Sequence, residues 1–403
     1  ISKEIATQGV VKFVAVVSNS EGAAPAVNAE CFIGKGTPKA PANVKLSATD
    51  TEVNLTWDAV TESADGGYMD SAGVTYTITD AQGTVLAEGI TGNSWSSAYT
   101  QPDNFTLVKY GVRSVYGDNA SATVSSNACG IGAYSTPLAM DMNNRDNFDS
   151  HTVVNANNDG STWTFVNAGR TRYTYSDANQ ADDWIISPNI RLEAGKVYLY
   201  KAEVLNQGAA YPERIEIKMG QGVTAEAMTT TLVEPTVVSC YSYQNLEVSS
   251  YLRPEADGTY NIGVHAISDP NSYYLYLVKY SVSAALSAAA PAPAENVSAE
   301  GDPTGLYKAV VKFSVPTKSV TGAGLTGDVN VKIIRGYDTV IKEQSVAPGT
   351  SVELTDDTMT STDTYTYTIK LSNADGEEAL PVKVSAFVGP KDPAALTNVK
   401  LTQ

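Results

Sequence analysis

Short runs in which apolar and polar residues alternate, divided by turn residues, recur along most of this chain. Val53, Leu55 and Trp57 alternate in one run and Val74, Tyr76 and Ile78 in the next. After a Gln82-Gly83 turn comes Thr84 to Glu88, then the alternation Val108, Tyr110, Val112, Ser114, and Gly130-Ile131-Gly132 closes the series. A side-chain period of two belongs to a strand with one buried face. Many short strands at roughly 8–12-residue spacing make a sandwich. The same plan returns later in the chain. Val311 and Phe313 stand where Leu55 and Trp57 stood, and Val329, Val331 and Ile333 stand for Val74, Tyr76 and Ile78. Thr339 to Glu343 matches Thr84 to Glu88, and Tyr365, Tyr367, Ile369 and Leu371 form the late strand. Phe387-Val388-Gly389 closes this copy as Phe32-Ile33-Gly34 closes an earlier fragment, in which Val11, Phe13, Ala15 and Val17 mark a half-buried strand.

At 403 residues the chain is long enough for several domains. We expect an all-β, multidomain array of β-sandwiches: a partial unit at 1–36, a complete one at 37–134, a different domain at 135–286, a second complete unit at 287–390, and the first strand of a further unit or a linker at 391–403. The last segment, PAALTNVKLTQ, repeats the PANVKLS of Pro41 to Ser47, so the chain reads as a window on a longer array. Lys35 to Ala42 and the Ala- and Pro-rich Ala284 to Ala294 read as linkers, the latter short and semi-extended.

The repeated units resemble fibronectin type III domains. Trp57 on the early strand, Tyr365 leading the late strand and the Asn373-x-x-Gly376 turn carry the resemblance; Phe313 replaces the tryptophan in one copy, and Tyr116 replaces the turn asparagine in the other. Tyr365 would then be the tyrosine-corner residue.

The segment between them is of another kind. Asn155, Asn157 and Asp159 are spaced by two and followed by Gly160 and a tryptophan strand at Trp163; further on comes Asp182-Asp183-Trp184-Ile185-Ile186-Ser187-Pro188. Alternating oxygen side chains before a glycine can curl round a hard cation, or can simply make an Asn-Asp-Gly turn. With Glu213 to Ile217, Gly220, Asp257 to Ala266 and Tyr274 to Leu277, this order of motifs resembles the cleaved-adhesin, or choice-of-anchor J, domain of secreted Bacteroidetes proteins, over about residues 136–285. The resemblance implies a jelly roll, usually with structural calcium. In this chain Val278-Lys279 stands where the family usually has acidic residues. The expected ligands are Asn155, Asn157 and Asp159 with either Asp182 or Asp183. With few charged ligands the affinity belongs in the ~10⁻⁴–10⁻³ M range of extracellular modules.

A formal charge of −17 makes nucleic acid and anionic membrane poor partners. No apolar run approaches the ~20 residues of a membrane helix, so no membrane insertion is expected. The absence of a signal peptide and of an initial Met suggests a removed leader or a piece of something longer. Three widely spaced cysteines, Cys31, Cys129 and Cys240, argue against a disulfide framework and against zinc, and read as buried free thiols. Catalytic signatures are missing: two histidines, His151 and His265, no nucleophile elbow, no metalloprotease helix motif and no P-loop. His265 lies on a strand and reads as structural. Paired carboxylates exist, but any acidic chain offers them. Tyrosines are dense, and Tyr241, Tyr243, Tyr273 and Tyr274 are the ones that could stack a sugar ring, while Trp163 and Trp184 read as core.

The reading that results is a non-catalytic, secreted or cell-surface adhesion protein. Its jelly roll would bind an extracellular protein or glycan, and its fibronectin-like units would act as spacers. The alternative is a carbohydrate-binding accessory region of a larger glycan-degrading enzyme or complex. A purely structural role stands beside both. Oligomeric state is not legible.

Overall fold

The computed structural model describes residues 4–5, 7–49, 51–100, 102–240 and 244–391. The 393–403 repeat, Tyr241 and Tyr243 lie outside the described residues. The chain is all-β: every ladder between named strands is antiparallel, and helix is confined among the described residues to Arg145–Asp149 and a single turn at Ser71–Gly73. Two compact units divide it, 1–133 and 134–403.

In the first unit, Lys45–Ala48, Glu52–Thr56 and Ser94–Ala98 form one sheet. Thr75–Asp80 lies between Val85–Ile90 and Tyr110–Tyr116 in the facing sheet. The alternating residues meet between the sheets: Leu55, Ile78 and Val112 are wholly buried, and the Trp57 and Tyr76 rings pack with centroids 5.1 Å apart. Tyr76 keeps its hydroxyl satisfied by accepting from the Val60 amide at 2.8 Å. Ahead of this sandwich, Gly9–Ala15 pairs with Val27–Ile33 as a two-stranded hairpin. Its alternation predicts a half-buried strand, yet Phe13 is 43% and Val17 77% exposed. The pattern made the strand, but a two-stranded sheet with no second layer among the described residues cannot bury a face.

The same hairpin corrects the expectation for the thiols. All three are free, but only Cys240 is buried; Cys129 is half-buried, and Cys31, on the uncovered hairpin, is exposed. At the corresponding position of the third copy, Ala386 is buried because a facing sheet covers it.

The second unit opens with two six-stranded sheets face to face. The front sheet runs Trp163–Val166, Arg170–Thr174, Tyr274–Val282, Tyr198–Asn206, Leu246–Leu252, with Leu138–Asp141 also pairing to Tyr274–Val282. The back sheet runs Thr152–Asn155, Asp183–Ile186, Gly258–Ala266, Glu213–Gly220, Thr230–Val238, with Ile190–Leu192 also pairing to Gly258–Ala266. Trp163, Tyr173, Tyr200, Ile185, Ile215 and Ile217 fill the space between. Trp184 and Ile186 point the other way and are still buried, because Met228 and its neighbours cover the outer face of the back sheet there. A three-stranded sheet, Glu295–Gly301, Ala309–Ser314 and Ser351–Asp356, then faces a four-stranded one, Thr339–Val346, Val329–Arg335, Asp363–Ser372 and Val382–Val388. Phe313 is 2% exposed, as Trp57 is in the first unit. The Tyr365 hydroxyl donates to the Ser361 carbonyl at 3.1 Å, the backbone bond a tyrosine corner makes.

The stretch expected to be a semi-extended linker is instead packed. Leu286 and Ala290 are buried with Val197, Leu199 and Val320. Around this cluster the Leu380 amide donates to the Tyr251 hydroxyl at 3.0 Å, the Arg253 guanidinium to the Val320 carbonyl at 3.2 Å, and Lys201 pairs with Glu378.

Candidate cation and ligand site

Two neighbouring strands of the back sheet bring the first group together. Asn155 closes Thr152–Asn155 and Asp183 opens Asp183–Ile186, and the two are cross-strand partners. The chain then turns through Asn158 and Gly160, both with positive φ (54° and 87°). At Gly160 this left-handed backbone is what requires glycine. The turn is tied by bonds that Asn155, Asn157 and Asp159 make: Asn155 Nδ2 donates to the Ser161 carbonyl, Asn157 Nδ2 to the Gln180 carbonyl, and Asp159 Oδ1 accepts from the Ser161 amide.

After those bonds, four buried oxygens remain without a hydrogen-bond partner: Asn155 Oδ1, Asp159 Oδ2, Thr162 Oγ1 and Asp183 Oδ1. Burial pushes the Asp183 carboxyl up to about 6. The charges on Asp159 and Asp182 add to this, against the Asp182 amide, which donates to Asp183 Oδ2. A buried carboxylate oxygen with no donor is costly unless something else neutralises it. Among the described residues no three His, Cys, Asp or Glu side chains converge as a ligand cluster. The donor set here is mixed: two carboxylates, an amide oxygen and a hydroxyl. Hard oxygen donors of this kind fit calcium, which accepts neutral ligands alongside charged ones.

Asp182 faces elsewhere. His265 Nε2 meets Asp182 Oδ1 at 2.8 Å, its Nδ1 meets Glu216 Oε1 at 2.8 Å, and its ring stacks on Trp184 at 3.9 Å and 11°. Burial alone would raise Glu216, but hydrogen bonds from His265 and Lys218 outweigh it and hold the carboxyl below its usual value. Both ring nitrogens of His265 are therefore engaged in tying the loop before Asp183 to the strand Glu213–Gly220.

Glu213 links this region to the rings. It is fully buried, its Oε1 accepts from the Tyr273 amide at 2.5 Å, and its Oε2 has no partner. Burial raises its pKa, eased by the Tyr273 amide. Asp183, Asp159 and Glu213 all act on the buried Tyr173 hydroxyl, which burial raises first and their charges raise further.

Above Glu213 the tyrosines gather. Tyr273 packs on Tyr274 with centroids 4.4 Å apart, on Tyr211 at 5.1 Å and on Tyr175 at 5.4 Å, nearly parallel to the last. Tyr211 is 48% exposed and the other three are half-buried, largely against one another. The Arg172 guanidinium lies 4.0 Å from the Tyr274 ring centroid.

The structure thus brings Asn155, Asp159 and Asp183 together, leaves the Asn157 side chain exposed and bonded to backbone, and pairs Asp182 with His265. It adds Thr162, Glu213, Tyr175, Tyr211 and Arg172, which spacing alone did not single out. Glu213 was within reach of such reasoning. It shares its parity with Ile215 and Ile217, so the alternation places an acid on the core face of the strand.

No family model matches the chain, and no curated protein matches it. Solved structures similar to it include the K3 cleaved adhesin domain of Lys-gingipain from Porphyromonas gingivalis, at 13% identity over 36% of this chain and 96% of that one, with a TM-score of 0.31. The C-terminal CBM6 of a marine laminarinase from Zobellia galactanivorans is 14% identical over 37% of this chain and 99% of its own, with a TM-score of 0.25. A central fibronectin-III array of RIM-binding protein is 11% identical over 89% of this chain and 99% of its own, with a TM-score of 0.20.

Proposed function

We propose that this chain is a non-catalytic, secreted or cell-surface binding protein. Its central jelly roll takes an extracellular ligand on the Tyr175, Tyr211, Tyr273 and Tyr274 rings, and the other sandwiches are spacers. One observation carries the reading. Core aromatics here, such as Trp163, Tyr173 and Tyr200, are wholly enclosed, whereas these four rings pack on each other at the surface. A tyrosine presents an apolar face and a polar tip at small cost in lost rotamers, which suits recognition. The alternative, an accessory carbohydrate-binding region of a larger glycan-degrading enzyme, uses the same rings and differs in what lies elsewhere in the parent protein.

Asn155 Oδ1, Asp159 Oδ2, Thr162 Oγ1 and Asp183 Oδ1 are proposed to hold one structural calcium ion. The ion would neutralise Asp183 and tie the Asn155–Gly160 turn to the back sheet. A glycan and extracellular-matrix array probed with the whole chain tests the binding role. Binding lost on Tyr273→Ala and Tyr274→Ala, with the fold retained by circular dichroism, supports it; binding untouched by both removes the rings from the function.

A further inference from the structure

The strand beside the rings carries two cations that the binding role leaves unused. On Arg170–Thr174, Thr171 and Tyr173 point into the core, so Arg170 and Arg172 leave the sheet on the same outer face. Tyr274 and Tyr276 leave the adjacent strand on that face as well, with Arg172 opposite Tyr276 in the ladder. Arg172 sits 4.0 Å from the Tyr274 centroid and Arg170 5.7 Å from that of Tyr276. Two other arginines are neutralised by carboxylates, Arg145 by Asp149 and Arg335 by Asp356. No Asp or Glu among the described residues comes within ion-pair distance of Arg170 or Arg172. In a chain of net charge −17, they place two adjacent guanidinium groups without an ion pair against tyrosine rings on one sheet face.

A guanidinium lying on a ring uses its flat face and keeps N–H groups for an anion. Arg170 is exposed, whereas Arg172 is half-buried with its Nε enclosed, so only its terminal nitrogens can meet a ligand. Rings on one side and forked donors on the other match a ligand with an apolar ring face and a negative substituent. We infer that the ring platform binds an acidic polysaccharide, with sugar faces on Tyr273 and Tyr274 and the anionic groups on Arg172 and Arg170. This deepens the proposed binding role and rests on it. A single exposed charge pair contributes little, but a polymer repeats its anion, so successive contacts add through effective concentration. The acidic surface elsewhere repels a polyanion and confines it to this face.

Native affinity electrophoresis of the whole chain tests this, with polygalacturonate, dextran sulfate or neutral laminarin cast in the gel. Anionic polymer is expected to retard the chain, and added salt to release it. Arg172→Ala should weaken retardation about tenfold, equivalent to about 1.4 kcal/mol. Arg172→Lys should restore it only in part, since an ammonium cannot fork. A dependence on Arg172 with either anionic polymer supports the inference, and the ratio of the two shows whether carboxylate or sulfate is preferred. If laminarin retards the chain as well as polygalacturonate, Arg172→Ala changes nothing and Tyr274→Ala abolishes binding, the ring platform stands and the acidic ligand is overturned. If no polysaccharide retards the chain, the inference falls, while a protein hit lost on Tyr274→Ala in the array would leave the platform standing.

Discussion

His151 is a half-buried imidazole held between two partners. Its Nδ1 lies 2.7 Å from the Asn147 carbonyl, which can only accept, so Nδ1 carries the proton and Nε2, 2.9 Å away, accepts from the Tyr280 hydroxyl. Burial pushes its pKa down to about 4, against the raising effect of the Asn147 carbonyl. The unfolded chain takes up this proton near pH 6.5 and the folded one only near 4. Stability from neutral His151 is therefore complete above about pH 6.5 and is lost as pH falls from there toward 4, by roughly 3 kcal/mol in all. Asp183, raised to about 6, gains stability as pH falls over part of the same window, so the His151 contribution is read as a difference: as pH falls, thermal melts should show the wild type losing stability relative to His151→Gln.

Asp183 makes a second prediction at this scale. Calcium at ten times its Kd should add about 1.4 kcal/mol by mass action. Millimolar calcium should thus raise the melting temperature above its value in chelator, and Asp183→Asn should erase the difference. Equal midpoints in the wild type would leave the Asn155–Gly160 segment as a bare turn. Trp57, 2% exposed and packed on Tyr76, should cost about 3–5 kcal/mol when replaced by alanine, measured by denaturant unfolding of the 1–133 fragment.

At the scale of elements, the period-two pattern was a good guide wherever a second layer exists. Leu55, Ile78, Val331 and Ile333 are buried as their alternation requires, because a strand's parity is set locally and a facing sheet completes it. The Gly9–Ala15 strand shows the limit: parity does not say whether a facing sheet is there. The candidate site divides in the same way. Asn155 and Asp183 were legible because each stands in a motif near its strand end, and Asp159 because it completes the spaced oxygens. Tyr211 and Tyr175 were not, because they come from loops between different strands and meet Tyr273 only after both sheets have formed. Asp182 and Asp183 are adjacent in sequence, yet the strand sends Asp183 inward and Asp182 to His265, a division that neighbouring residues of a strand must show.

At the scale of the whole molecule, the joint in the second unit decides how it unfolds. The apolar cluster of Val197, Leu199, Leu286, Ala290 and Val320 belongs to both the two six-stranded sheets and the sandwich after them. Half-buried charge pairs such as Lys370 with Glu247, at 3.4 Å, contribute little beside it. Calorimetry of the whole chain should show the two melting together, and Leu286→Asp, which puts a charge into the cluster, should split that transition. Two separate transitions in the wild type would mean that the joint does not couple them.

The packed joint also bears on avidity. A flexible tether lets a binding face search widely, but each further attachment to a polymer must then freeze the tether's rotations again. With Leu286 and Ala290 buried, the segment joining the two six-stranded sheets to the next sandwich has few rotations left to lose. On the proposed polysaccharide binding, several copies lining one strand would leave the entropic penalty per contact mainly to the ligand, and stiffer polymers should then be held the longest.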